Sequence, residues 1–144
     1  GDSVKMGPIA KMYTLGHDFV PSSIHAGGLR YHGLSPIMSQ LYHDGLIEAQ
    51  AYGQVDVLNA GVLFAKTEGI VPAPESTHAI KGAVEEAMRC KREGKEEVIL
   101  FNLSGHGYFD FFAYEKLMNH TLENDALSEE NLQESLAKLP EIKE

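Results

Sequence analysis

A chain of 144 residues is long enough for one domain with a real core. Its net charge of −9 argues against a nucleic-acid partner, because phosphate binding needs clustered Lys and Arg. No apolar run approaches the ~20 residues of a membrane span, no charged-then-apolar signal segment opens the chain, and the single Cys90 leaves no internal disulfide and suits a reducing cytoplasm.

Residues 1–8 lack a periodic pattern, although their glycines and Pro8 allow an ordered loop. Residues 9–20, with Met12, Tyr13, Leu15 and Phe19, are apolar but broken by Gly16, which fits a strand and turn. A stretch this apolar normally packs against something preceding it. Residues 21–33 (PSSIHAGGLRYHG) form a long glycine-rich loop holding His25, Arg30, Tyr31 and His32, and loops of this length are usually functional or disordered. A helix is expected over 34–44, with Ser35 as N-cap, Pro36 at its first position and Gly45 as its stop.

Residues 48–53 (EAQAYG) alternate weakly, as a short strand would. Val57, Leu58, Gly61, Val62 and Ala65 have helical spacing within 54–67, closed by Gly69. The extended 70–74 (IVPAP) precedes a helix opening at Glu75, with Ile80, Val84, Ala87 and Met88 as its apolar face and Gly94 at its end. Cys90 lies near that face, where it reads as a packed small hydrophobe. Residues 98–103 (VILFNL) are a nearly unbroken apolar run, expected to be a central parallel strand buried on both faces. It ends in Ser104-Gly105-His106-Gly107, whose glycines let the backbone turn and approach a ligand, before a helix over 108–119. Ser128 caps a last helix with a Leu132, Leu136 and Leu139 stripe, a Leu127–Leu132 staple and a stop at Pro140.

Alternating short strands and helices indicate an α/β fold. A loop-rich start spans 1–33, an α/β core 34–120 and the carboxyl-terminal helix segment 121–144. A strand, a glycine turn and a helix start are where open α/β sheets place ligands. The seven histidines lack metal-ligand spacing. Ser104, His106 and Asp110 lie too close in one turn to relay a proton in line, and there is no GxSxG elbow. Glu75 either serves the dipole of its own helix or faces a ligand. Ser104 is either a cap or a hydroxyl aimed at a polar ligand atom.

Four segments carry a resemblance: KMYTLGHDFVP (11–21), HAGGLRYHG (25–33), TEGIVPAPESTHAI (67–80) and FNLSGHGYFD (101–110). Together they resemble the carboxyl-terminal third of tryptophan synthase β chains, especially the second, longer type. The resemblance implies a partial three-layer parallel-sheet domain of a fold type II pyridoxal phosphate (PLP) enzyme, which joins L-serine and indole into L-tryptophan in the cytoplasm. It makes Ser104 the hydroxyl on the cofactor's pyridine nitrogen, Gly105 the glycine beside the ring and Glu75 the nearby glutamate. A neutral serine leaves the ring unprotonated and a weaker electron sink, favouring β-replacement over transamination.

Tyr31 and Gly33 match positions whose carbonyls bind a monovalent cation in the better-known type. That type has aspartate in a G-L-D sequence where this chain has Arg30, which is either a substrate-carboxylate ligand or a loop charge. It also has an arginine and a charged pair where this chain has His106, Tyr108 and Phe109. The Schiff-base lysine, the acid–base glutamate and the glycine-rich phosphate cradle of the family have no counterpart here. The chain is therefore expected to carry one wall of the cofactor site, to be inactive alone, and to need the upstream part of an enzyme that is a homodimer when complete. Two rival expectations are a module holding a small anion at the glycine turn and its following helix, and a fragment whose apolar opening drives self-association.

Overall fold

The computed structural model describes Met6 and residues 11–139. The readings for residues 1–5 and 7–10, and the stop at Pro140, lie outside the described residues. Five helices form among the described residues: α1 Pro36–His43, α2 Gln54–Glu68, α3 Pro74–Glu93, α4 Phe111–Met118 and α5 Glu129–Ala137, with a 3-10 turn at Gly27–Leu29. No helix among the described residues is long and apolar enough to cross a membrane.

Local chemistry explains where the helices begin and end. The Ser35 side chain accepts a hydrogen bond from the Met38 amide, and Pro36 occupies the first helical position. Ser128 caps α5 in the same way through the Asn131 amide. Both α2 and α3 end on left-handed glycines, Gly69 and Gly94, whose amides return to the last-turn carbonyls. Helix α4 starts three residues later than expected, because the Asp110 amide closes a turn onto the Gly107 carbonyl first.

The chain divides into two compact units, the first drawn from the described parts of Gly1–Ser22, Arg30–Ala49 and Ala126–Glu144. In it, Thr14 and Gly33 form an isolated antiparallel bridge, and the Leu34 amide donates to the Tyr13 carbonyl at 2.9 Å. The Tyr13 amide donates to buried Ser39 on α1, and the Tyr13 ring meets Tyr42 edge-on at 5.3 Å. The second unit, Ser23–Leu29 with Gln50–Asp125, packs α2 against α3 and α4. Leu58, Ala113, Tyr114 and Leu117 form its core, with Val55, Val62, Val71 and Leu122 around them.

The expected strands are not formed. Among the described residues there is no strand, only isolated bridges at Thr14–Gly33 and Pro72–His106. Residues 48–53 are irregular, and 98–103 run without a helix or ladder. Val98 and Leu100 are 99% and 94% exposed, so the run is not buried on both faces. Exposure alternates along it, with Ile99 and Phe101 half-buried. That is strand geometry lacking neighbours: a strand needs ladder partners that no other segment described here supplies. What this chain shows of the α/β expectation is its helices.

Helix α3 buries Ile80 and Cys90 but leaves Ala87 and Met88 exposed, so its covered stripe is narrower than expected. Burial, reinforced by Glu97, pushes the Cys90 thiol up, as suits a packing residue. Gly82, in mid-helix, has nothing within 4 Å of a built Cβ. Gly82→Ala should therefore raise stability by about 0.5–1 kcal/mol through helix propensity alone. Urea denaturation measures this, and a lowered midpoint would show that the position is packed.

Candidate functional site

The site is built where residues 71–77 meet residues 104–107. Pro72 and His106 bridge antiparallel, the Gly107 amide donates to the Val71 carbonyl at 2.8 Å, and the Ala73 amide donates to the Gly105 carbonyl at 3.0 Å. The Tyr114 hydroxyl, rising from α4, donates to the Pro72 carbonyl at 2.6 Å. Pro72 is fully buried. The glycine turn is thus clamped to the start of α3.

Within this clamp Ser104 is exposed, and its backbone is held from below. Its amide donates to the Ser76 Oγ at 3.1 Å, and the two hydroxyl oxygens lie 3.0 Å apart. Ser76 is only 1% exposed, at the third position of α3. Sequence reasoning missed it. The only available signal was a small polar residue following Pro74 and Glu75 in a helix's first turn, and that pattern usually means capping.

The two glycines of the turn differ. A Cβ on Gly107 would sit 2.4 Å from the Pro72 carbonyl oxygen, whereas one on Gly105 would meet only the Ala73 Cβ, at 3.4 Å. Gly107 is required by the chain's own packing. Gly105 is not, and its open backbone lies beside the exposed Ser104 hydroxyl.

Glu75 does not cap its own helix; α3 has no side-chain cap. Its Oε1 accepts the Gly28 amide at 2.8 Å and so fastens the 3-10 turn to α3. Glu75, Ser104 and Gly105 therefore lie in one unit. Arg30, Tyr31 and Gly33 belong to the other, where Arg30 and Tyr31 are exposed and Gly33 is packed against Met12 and Thr14.

The triad reading finds no support: Ser104 is bonded to Ser76, and His106 Nδ1 accepts the Tyr108 amide at 3.3 Å. Among the described residues there is no group of three His, Cys, Asp or Glu side chains able to hold a metal ion. His25 meets Phe112 edge-on, and burial, assisted by Lys116, holds its imidazole below the ordinary value. It lines an open polar pocket of about 390 Å³ with Ser23, Gln54, Lys116 and Asp125.

Tyr114 gives the clamp a pH signature. Burial, then the Asp110 charge, push its phenol up to about 12 from the ordinary 10.0. A raised phenol means that the folded state binds the proton more tightly than the unfolded one. Its contribution is complete below pH 10 and is lost between pH 10 and 12. Across that window stability should fall by roughly 2–3 kcal/mol, and Tyr114→Phe should remove this phase. An unchanged alkaline profile in the phenylalanine variant would contradict the assignment.

No protein-family model matches the chain. Curated relatives do. It is 65% identical over 122 residues to the tryptophan synthase beta chain 2 of Aquifex aeolicus, covering 85% of this chain and 28% of that protein. Identity to the corresponding protein of Methanosarcina mazei is 60% over 123 residues, again 85% of this chain and 28% of the relative. With that of Thermotoga maritima it is 59% over 114 residues, 79% of this chain and 27% of the relative. The chain thus spans under a third of the length of the relatives it matches.

Proposed function

We infer, for a chain that is a carboxyl-terminal portion of the tryptophan synthase β family of the second type, that it supplies the wall of a cofactor site facing the ring of PLP. One observation carries this reading: an exposed serine hydroxyl, pinned from beneath by Ser76, stands beside a glycine whose bare backbone the chain's own packing does not demand. A flat heteroaromatic ring with one nitrogen acceptor suits such a surface, because the glycine admits close approach and the hydroxyl offers one directional bond.

When bound, PLP supplies the electron sink on which β-replacement of the serine hydroxyl by indole depends. Ser104 would hold the pyridine nitrogen, and Gly105 and Glu75 would line the ring. By the resemblance, Arg30 would be the ligand of the substrate carboxylate, and the Tyr31 and Gly33 carbonyls would hold a monovalent cation. The upstream part of the enzyme supplies the Schiff-base lysine, the acid–base glutamate and the phosphate cradle. It also supplies the neighbouring strands that turn residues 98–103 into part of a three-layer α/β sheet. The complete enzyme works as a cytoplasmic homodimer, and this chain is inactive alone.

Exposed Val98 and Leu100 support the need for a covering partner, since apolar surface of that kind seeks burial. The test is reconstitution. Tryptophan formation from serine and indole is expected when the chain is joined to the upstream part and not from either part alone. Turnover by this chain alone would overturn the division of labour, as would a joined enzyme that stays inactive with PLP bound.

A further inference from the structure

After α4 the chain returns to the start of α2, and with the loop at Ser23 and His25 it walls a cavity of about 390 Å³ inside the second unit. His120 makes the reversal in the left-handed region, at φ 55°, which a residue with a Cβ rarely adopts. The Asn124 Oδ1 accepts the Val55 amide at 3.1 Å, and a Cβ on Gly53 would lie 2.7 Å from that same oxygen. Gln54 joins both walls: its Oε1 accepts the His25 amide at 3.2 Å and its Nε2 donates to the Glu123 carbonyl. Asp125 Oδ2 accepts the Ser23 amide at 2.8 Å and the Ser23 hydroxyl at 3.2 Å. Stretches of chain far apart in sequence are thus fixed around one space before anything enters it.

Three groups in the lining are left for an outside partner. The Lys116 ammonium lies over the Phe112 ring at 4.7 Å and pairs with no carboxylate among the described residues. The His25 ring nitrogens have no hydrogen-bond partner among those residues either, and burial beside Lys116 keeps the imidazole uncharged at neutral pH. Asp125 commits one carboxylate oxygen to Ser23 and leaves Oδ1 open. A simple anion drawn to Lys116 meets the charge of Asp125, with Glu123 also in the lining, and a simple cation drawn to Asp125 meets Lys116. A small molecule carrying both charges satisfies both groups. Half-buried Leu122 gives the same cavity an apolar wall.

We propose that this cavity is a binding site for a free α-amino acid, with its carboxylate on Lys116 and the His25 ring N–H, its ammonium on Asp125 and its side chain towards Leu122. None of residues 71–77 or 104–107 lines the cavity. The site is therefore separate from the Ser104–Gly105 turn and does not depend on what that turn binds.

The experiment titrates the complete β chain with L-valine and with its two halves, isovalerate without the ammonium and isobutylamine without the carboxylate, reading backbone amide shifts. L-Valine should give saturable shifts at Ser23, His25 and residues 121–125 in the millimolar range or below. It should bind about tenfold or more tighter than either half, the worth of one charge-assisted hydrogen bond. Lys116→Met keeps the length of the side chain over Phe112, and should weaken valine about tenfold while leaving isobutylamine no weaker. Asp125→Asn keeps an acceptor for Ser23, and should weaken valine by a similar factor while leaving isovalerate no weaker. Valine bound at the turn instead would move Ser104 and Gly105, so the two places are told apart by residue. Either half binding as tightly as valine would overturn the proposal. So would a charge-removing variant with unchanged valine affinity, or an absence of shifts at the cavity residues.

Discussion

Gly107→Ala should destabilise the protein by about 3 kcal/mol or more, at the upper end of what overpacking costs. The added methyl would lie 2.4 Å from the Pro72 carbonyl oxygen, 3.1 Å from its carbon and 3.2 Å from the Tyr114 ring. Two of those atoms are backbone, so no side-chain rotation relieves the contact. Shifting Pro72 breaks its bridge to His106 and the 2.6 Å bond from Tyr114. Gly105→Ala is the control, since its methyl would meet only the Ala73 Cβ at ordinary contact distance. Stability should change by less than about 1 kcal/mol there, while on the proposed reading PLP affinity of the complete enzyme falls, because the methyl occupies the place proposed for the ring. Denaturant midpoints of the two variants decide the matter. A Gly107→Ala protein as stable as its parent would mean that the clamp does not hold the turn.

On the proposed contact, Ser104→Ala in the complete enzyme should weaken PLP binding by about tenfold, roughly 1.4 kcal/mol, because the ring nitrogen would lose its one directional partner. Stability should fall by no more than about 1 kcal/mol, because the buried Ser76 hydroxyl loses its partner at 3.0 Å but keeps the Gly105 carbonyl at 3.5 Å. The Ser104 side chain is exposed, and the bond that anchors the turn uses its amide, which alanine keeps. Loss of affinity with an intact fold is the pattern expected of a binding residue, whereas loss of both would indicate a structural one. An alanine variant that binds PLP as tightly as the parent would remove Ser104 from the site.

The helices were legible because their signals are local. Ser35 with Pro36, Ser128, and the glycines at 69 and 94 each act within one turn of the helix end they define. Strands obey a non-local rule. The pattern at 98–103 correctly indicates an extended apolar segment, but whether it becomes a strand depends on neighbours beyond its own sequence. Val98 and Leu100 are exposed, so no described segment covers that face of the run.

The candidate site divides along the same line. Ser104 and Gly105 stood out from the turn chemistry and the resemblance. Ser76 did not, because its role depends on a partner 28 positions away. Glu75 shows the same limit: its helix-start position left a dipole role and a ligand role open, and nothing local pointed to the Gly28 amide 47 positions back that its oxygen accepts. Gly107 was read as room for a ligand, but it is room for Pro72.

The central claim is that the Ser104–Gly105 turn, clamped to the start of α3, faces the cofactor ring. Residue-resolved amide shifts in the complete β chain, titrated with PLP and with a deoxy analogue lacking the aldehyde, test it most directly. The analogue forms no imine with surface lysines, so its shifts report ring contact alone. Saturable changes centred on Ser104 and Gly105, extending to Glu75, are the predicted result. Changes confined to scattered lysines with PLP, and absent with the analogue, would contradict it.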